Sequence, residues 1–162
     1  MNKDVLGAVE KIHKIFKDKK LTLSVAESCT GGLISNVITT LPGASVFFRG
    51  GVIAYSVNMK RTILGVSSET IKRYGVISKE TAKEMAERVR LLIKTDYAIS
   101  TSGNLGPDVL EGKEQGLIYI SACREAKTVS RELRLTGTRG ENKEEAVLAA
   151  LRLLIEVVEA NL

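Results

Sequence analysis

Apolar positions along this chain repeat with two different periods, and the period changes where turn residues cluster. Val5, Val9, Ile12 and Phe16 recur at helical spacing, which predicts an amphipathic helix over residues 3–18. Leu21 to Ala26 is a short apolar run containing Thr and Val, and predicts a strand. Glu27-Ser28-Cys29-Thr30-Gly31-Gly32 follows it, and Leu33, Val37 and Leu41 then mark a second helix, stopped by Pro42-Gly43. Residues 46–56 hold Val46, Phe47, Phe48, Val52, Ile53 and Tyr55 around Gly50-Gly51, the pattern of a strand with a bulge or bend at the glycines. Short helices are expected at 57–64 and 68–74, the second capped by Ser67 or Ser68. Ser78 caps a longer helix expected to bury Ala82, Met85, Val89 and Leu92. Residues 96–101 form a further strand, 102–108 a loop, and 116–123 with 128–136 a hairpin. A last helix, 141–160, carries Ala146, Ala150, Leu151, Leu154 and Val158. Early alternation of strand and helix with a late hairpin predicts an α/β fold, with helices on both faces of a mixed sheet, in one domain spanning 1–162.

Composition narrows the functional classes. Apolar residues make up 44 % of the 162 and charged residues 27 %, which fits a packed domain and excludes a disordered chain. Aromatics are 4 % with no Trp, so platforms for stacking bases are scarce. The net charge of +5 suits an anionic partner but is dispersed, and no nucleic-acid-binding motif accompanies it. Cys29 and Cys123 are too few for a disulfide framework or a four-cysteine zinc site, and read as buried thiols in a reducing compartment. The amino-terminal segment lacks the apolar core of a signal peptide, and no window approaches the ~20 apolar residues that span a bilayer. A cytoplasmic location without membrane attachment is expected.

The segment Ser28–Gly32 is where chemistry is most concentrated. A hydroxyl between strand and helix stands at the carboxyl edge of a sheet, where ligands of open α/β sheets collect. Two glycines allow a sharp turn, and free N–H groups there can hold a phosphate or a developing oxyanion. A plain strand–helix turn with Ser28 or Thr30 as N-cap explains the same residues. A nucleophilic serine needs a base. The one histidine, His13, adjoins the apolar stripe of the first helix and reads as structural. A lysine of lowered pKa can replace histidine, but spacing does not select Lys60 over Lys72 or Lys79. Ser102-Gly103 ends a strand and can border the same sheet edge. Arg139 follows a strand and precedes a helix, where it either clamps a phosphate or is a solvated surface residue.

Together the motifs resemble the CinA C-terminal domain family. They are Ala26-Glu27-Ser28-Cys29-Thr30-Gly31-Gly32, Pro42-Gly43-Ala44-Ser45, Gly51 to Lys60, Leu64-Gly65-Val66, Gly75-Val76-Ile77-Ser78 and Ser102-Gly103-x-x-Gly106-Pro107. The resemblance runs in order from about residue 5 to 160. It implies a three-layer α/β/α sandwich and an amidase that hydrolyses the carboxamide of nicotinamide mononucleotide to nicotinate mononucleotide and ammonia. It implies Ser28 as nucleophile and Lys60 as its base, with no metal or cofactor. Thr30, Gly31, Gly32, Tyr55, Ser102, Gly103 and Arg139 are the implied substrate contacts. The implied partner is a small nucleotide, not nucleic acid, and a homo-oligomer is expected. Residues 104–115 depart from the family pattern: Asn104-Leu105 replaces a small apolar pair, and Asp108 to Gln115 replaces a Gly-rich stretch. A non-catalytic or altered-specificity nucleotide-binding module is therefore the alternative, and a nucleic-acid accessory role the weakest reading.

Overall fold

The computed structural model describes residues 1–162. Helices α1 (Lys3–Asp18), α2 (Leu33–Thr40), α3 (Val57–Thr62), α4 (Ser68–Tyr74), α5 (Lys79–Ile93) and α6 (Arg139–Glu159) surround five strands. The strands are β1 (Leu23–Glu27), β2 (Phe48–Ile53), β3 (Tyr97–Gly103), β4 (Leu117–Arg124) and β5 (Lys127–Arg134). Their order is β2-β1-β3-β4-β5: β1 pairs with β2 and β3 in parallel, and β3, β4 and β5 pair antiparallel. This is the expected mixed sheet with helices on both faces.

Alternation along the strands assigns the faces. Leu23, Val25, Tyr97, Ile99, Ile118 and Ile120 point into one apolar cluster, closed over by α1, α2 and α6. The opposite positions are small. Ala26, Ala98 and Cys123 meet Met85, Ala86 and Val89 of α5. Small side chains let α5 approach closely enough for Ser100 Oγ to donate to the Ala82 carbonyl at 2.5 Å. Leu92, expected in this core, is 53 % exposed. The buried row runs Ala82, Met85, Ala86, Val89, and one turn further it reaches the partly buried Ile93.

Three boundaries differ from the sequence reading. The segment after Pro42-Gly43 is first a 3₁₀ turn, Ala44–Val46, and pairing begins only at Phe48. Leu23 pairs with Phe48 and Ser24 with Gly50, so Arg49 is the extra residue of a bulge. At Gly51 a Cβ would lie 2.8 Å from the Val25 carbonyl oxygen, so only glycine fits against β1 there. Strand β3 runs on to Gly103 because β4 pairs with it through Ile118. Helix α6 starts at Arg139, two residues earlier than expected. Thr138 caps the Glu141 N–H while the Glu141 carboxylate accepts the Thr138 N–H, a reciprocal capping box.

Thr138→Ala removes one half of that box. It should cost about 1 kcal/mol of stability and lower Tm by a few degrees, read by thermal unfolding. An unchanged Tm would show that the cap does not set this helix end.

Candidate active site

All three parallel strands end at the same edge, and the polar residues cluster just past those ends. Ser28 follows β1, Ala54 and Tyr55 follow β2, and Ser102-Gly103 close β3. Strand β1 sits between β2 and β3, so the chain leaves it to one side and returns on the other. That reversal is where open α/β sheets form crevices. Here it opens a cavity of about 470 Å³.

Lys60 is the unusual group in this cavity. It lies on the short helix α3, which Ser56 caps through the Met59 N–H. The side chain turns inward and is 2 % exposed. Its Nζ stands 3.0 Å from Ser28 Oγ, 2.9 Å from the Ala54 carbonyl oxygen and 3.1 Å from that of Tyr55. No carboxylate pairs with it. Burial pulls its pKa down from 10.5 to about 8, with neighbouring acidic groups opposing the shift. A neutral amine has two N–H donors and one lone pair. The two carbonyls can only accept, so they take both N–H groups and leave the lone pair directed at the Ser28 hydroxyl.

Ser28 is held from the other side. Its N–H donates to the Thr101 carbonyl at 3.1 Å, and its own carbonyl accepts from Gly31 N–H at 3.0 Å, closing a tight turn. Inside that turn the N–H groups of Cys29 and Thr30 find no acceptor within the chain. The Cys29 thiol is buried, and burial pushes it up to about 11, so it stays protonated at neutral pH.

Glu27, the carboxylate that ends β1, was given no role by the sequence reading. It is 1 % exposed. Helix α2 begins after Gly32, which sits at φ +104° and has no side chain with which to cap it. Glu27 supplies one from within the strand. Oε1 accepts from Thr30 Oγ1 at 2.7 Å and Ile34 N–H at 2.8 Å, and Oε2 accepts from Ser35 N–H at 3.1 Å and Ser35 Oγ at 2.8 Å. A negative group at a helix start is stabilised by the dipole. The signal was visible in the sequence as a lone charge closing an apolar strand.

Of the residues named from the sequence, Ser28, Lys60, Tyr55, Ser102, Gly103 and Arg139 line the one cavity. Ser102 Oγ donates to the Val76 carbonyl at 2.6 Å. At Gly103 a Cβ would stand 2.6 Å from the Leu117 carbonyl oxygen, which explains the glycine by strand packing. Arg139 donates to the Gly106 carbonyl at 2.8 Å and the Tyr55 hydroxyl at 3.2 Å, bridging two cavity walls. Thr30, Gly31 and Gly32 lie outside the lining. Thr30 is fully buried, its hydroxyl shared between Glu27 and Thr101, and the glycines turn the chain, with Gly31 beside the Lys143 ammonium. His13 is structural: its Nε2 bonds to the Ile38 carbonyl and its ring meets Phe47 edge-on.

The wall that sequence reading did not resolve is the 104–115 segment. Asn104 organises it, accepting from Leu110 N–H at 3.1 Å and donating to the Leu110 and Lys113 carbonyls. Glu111 accepts from the Val76 and Ile77 N–H groups at 2.9 and 3.0 Å, which straps the segment to the turn before α5. At Gly75 a Cβ would run into that carboxylate.

These features define a class: an α/β/α domain with a buried serine–lysine pair at the carboxyl edge of a mixed sheet. The chain belongs to the CinA C-terminal domain family, whose sequence pattern matches residues 7–158. It is 43 % identical over 152 residues to a CinA-like protein of Endomicrobium trichonymphae, covering 93 % of this chain and 35 % of that one. It is 41 % identical over 154 residues to a CinA-like protein of Leptospira interrogans, covering 94 % and 37 %. The chain thus spans just over a third of these relatives' length. Among solved structures it superposes on the competence/damage inducible protein CihA of Agrobacterium tumefaciens with TM-score 0.93 at 30 % identity, covering 96 % of both chains. The competence damage-inducible protein A of Klebsiella pneumoniae superposes with TM-score 0.94 at 25 % identity, covering 98 % of this chain and 99 % of that one. No helix is long and apolar enough to cross a membrane.

Two outcomes follow from the buried groups. Glu27→Ala leaves two helix-start N–H groups without their acceptor and should cost about 2–4 kcal/mol by urea unfolding, more than Glu27→Gln. For Lys60, both folded and unfolded chains carry the proton below pH 8, so the cost of burying an ammonium is fully present there. From pH 8 towards 10.5 the folded state alone releases the proton, and stability rises. The stability of wild type relative to Lys60→Met should therefore rise by on the order of 1 kcal/mol per pH unit above pH 8. A flat difference would mean that Lys60 titrates as a solvated lysine.

Proposed function

We propose that this domain is a serine–lysine amidohydrolase and that its substrate is nicotinamide mononucleotide, which it converts with water to nicotinate mononucleotide and ammonia. The observation that carries the reading is the 3.0 Å contact of Lys60 Nζ with Ser28 Oγ, made by an amine whose other two partners are main-chain carbonyls. That arrangement supplies a base without histidine, which the chain lacks near this edge.

In the acylation step Ser28 Oγ attacks the carboxamide carbon and its proton passes to Lys60 Nζ. The carbonyl π bond opens to an oxyanion, for which the unpaired N–H of Cys29, a residue on the cavity, is the candidate donor. Collapse breaks the C–N bond, and Lys60 returns the proton to the departing nitrogen, which leaves as ammonia. A water then attacks the Ser28 ester, giving its proton to Lys60. The C–O bond to Ser28 breaks, Ser28 regains the proton, and the acid is released. Lys60 ends each half-reaction neutral. In this reading Arg139, on the cavity wall, meets the nucleotide phosphate, and the exposed Tyr55 ring lies against the cationic pyridinium.

A second reading, a nucleotide-binding module of altered specificity or without catalysis, is favoured by the 104–115 wall, which places Asn104, Asp108 and Leu110 on the cavity.

Ammonia release from nicotinamide mononucleotide by the purified domain decides between them. Ser28→Ala and Lys60→Ala should each lower turnover by on the order of 10³ or more while leaving the fold intact. Lys60→Arg should fail as well, because guanidinium holds its proton. The wild-type rate should climb with pH and level off above about 8 as Lys60 becomes neutral. Saturable nucleotide binding with no product, unchanged in Ser28→Ala, would favour the second reading.

A further inference from the structure

Asp108 is the only acidic side chain on the cavity. It is exposed, and its carboxylate has no hydrogen-bond or ion-pair partner within the chain. The backbone that carries it is nevertheless pinned on both sides. Arg139 holds the Gly106 carbonyl at 2.8 Å, and Asn104 bonds both the N–H and the carbonyl of Leu110, at 3.1 and 3.3 Å. The Arg139 guanidinium, on the same cavity, also lacks a carboxylate partner: it bonds only a main-chain carbonyl and the Tyr55 hydroxyl. Besides the buried Lys60 amine, the cavity therefore carries an unpaired cation, Arg139, and an unpaired anion, Asp108, that do not neutralise each other.

We propose that Asp108 is a specificity-determining residue that reads the positive charge of the substrate ring, so that the cavity selects a zwitterion, a cationic carboxamide ring tethered to an anionic phosphate, over a neutral-ring analogue. This rests on the nucleotide reading above. Arg139 provides for the anion and Asp108 for the cation. An exposed carboxylate facing a cation at the edge of a cavity gives a modest, salt-sensitive preference, about tenfold.

The test compares binding of nicotinamide mononucleotide with its 1,4-dihydro form, which keeps the amide, ribose and phosphate but has a neutral ring. Calorimetric titrations use the Ser28→Ala protein, which prevents turnover. The cationic nucleotide should bind about tenfold more tightly at low salt, and the margin should shrink as salt is added. Adding Asp108→Asn should bring the two affinities within about twofold, and Asp108→Glu should keep most of the preference. Because Asp108 has no internal partners, these variants should unfold like the parent. A preference that survives Asp108→Asn would assign ring recognition to Tyr55 stacking and overturn the proposal. Equal affinities in the Ser28→Ala parent would also overturn it, while leaving the nucleotide site in place. Failure to bind either compound would remove the nucleotide reading itself.

Discussion

The site depends on keeping an amine dry beside a hydroxyl. A lysine ammonium buried without a carboxylate is expensive, and the chain meets that cost by lowering the pKa instead of supplying a counter-ion. The Ala54 and Tyr55 carbonyls are the right partners for this purpose. They satisfy N–H donors without adding a full negative charge that would restore the proton. A carboxylate in their place would hold Lys60 as an ammonium, unable to accept from Ser28. Neutral acceptors fix the direction of the lone pair as well as the position of the nitrogen. The same geometry therefore lowers the pKa of the amine and aims its lone pair.

That geometry requires three strand ends to finish level. Strand β1 brings Ser28, β2 brings the two carbonyls, and β3 brings Thr101, whose carbonyl binds the Ser28 N–H. The bulge at Arg49 and the bare backbone of Gly51 let β2 lie tight against β1, with Ile53 opposite Glu27. Ala54 N–H then donates to the Glu27 carbonyl at 2.8 Å, so the contact continues past the last ladder pair to the residue whose carbonyl holds Lys60. Glu27 completes the arrangement by tying the start of α2 back to β1 through four hydrogen bonds, leaving the Ser28 turn little freedom. Buried polar groups of this kind are costly alone and rigid when fully satisfied.

Much of the fold was legible because it rests on local periodicity. Helix spacing, paired glycines and the strand–turn–helix at Ser28 are short-range signals, and the mixed sheet followed from their order. What was not legible depends on distant partners. Nothing around Lys60 separates it from Lys72 or Lys79 in sequence; its inward turn comes from carbonyls that β2 delivers. The resemblance to a family singled it out, and spacing did not. Leu92 was misplaced because a helical row drifts, and only packing against a particular sheet decides which side is buried. The capping box at Thr138 and Glu141 was readable, since Thr-x-x-Glu before an apolar run is its signature, yet the helix was started two residues late. Thr30, Gly31 and Gly32 share the informative segment with Ser28, and in the structure they shape its turn and lie outside the cavity lining.

The 104–115 segment forms one wall of the cavity without bonding to the serine–lysine pair. Its contacts run outward from the Ser28–Lys60 pair: Asn104 to its own loop, Glu111 to the Val76–Ile77 turn, Arg139 to the Gly106 carbonyl. None of them touches Ser28 or Lys60. The segment can therefore vary in length and charge while the amine and hydroxyl keep their places, because those are set by strand ends and not by the loop. The places of the amine and hydroxyl are held by backbone that packing fixes and the mouth is formed by loop side chains, of which Glu111 opposes the downward pull of burial on the Lys60 pKa. In this protein the mouth holds Arg139 and Asp108, each without an ion-pair partner, and the amine behind them sheds its proton as pH rises past about 8.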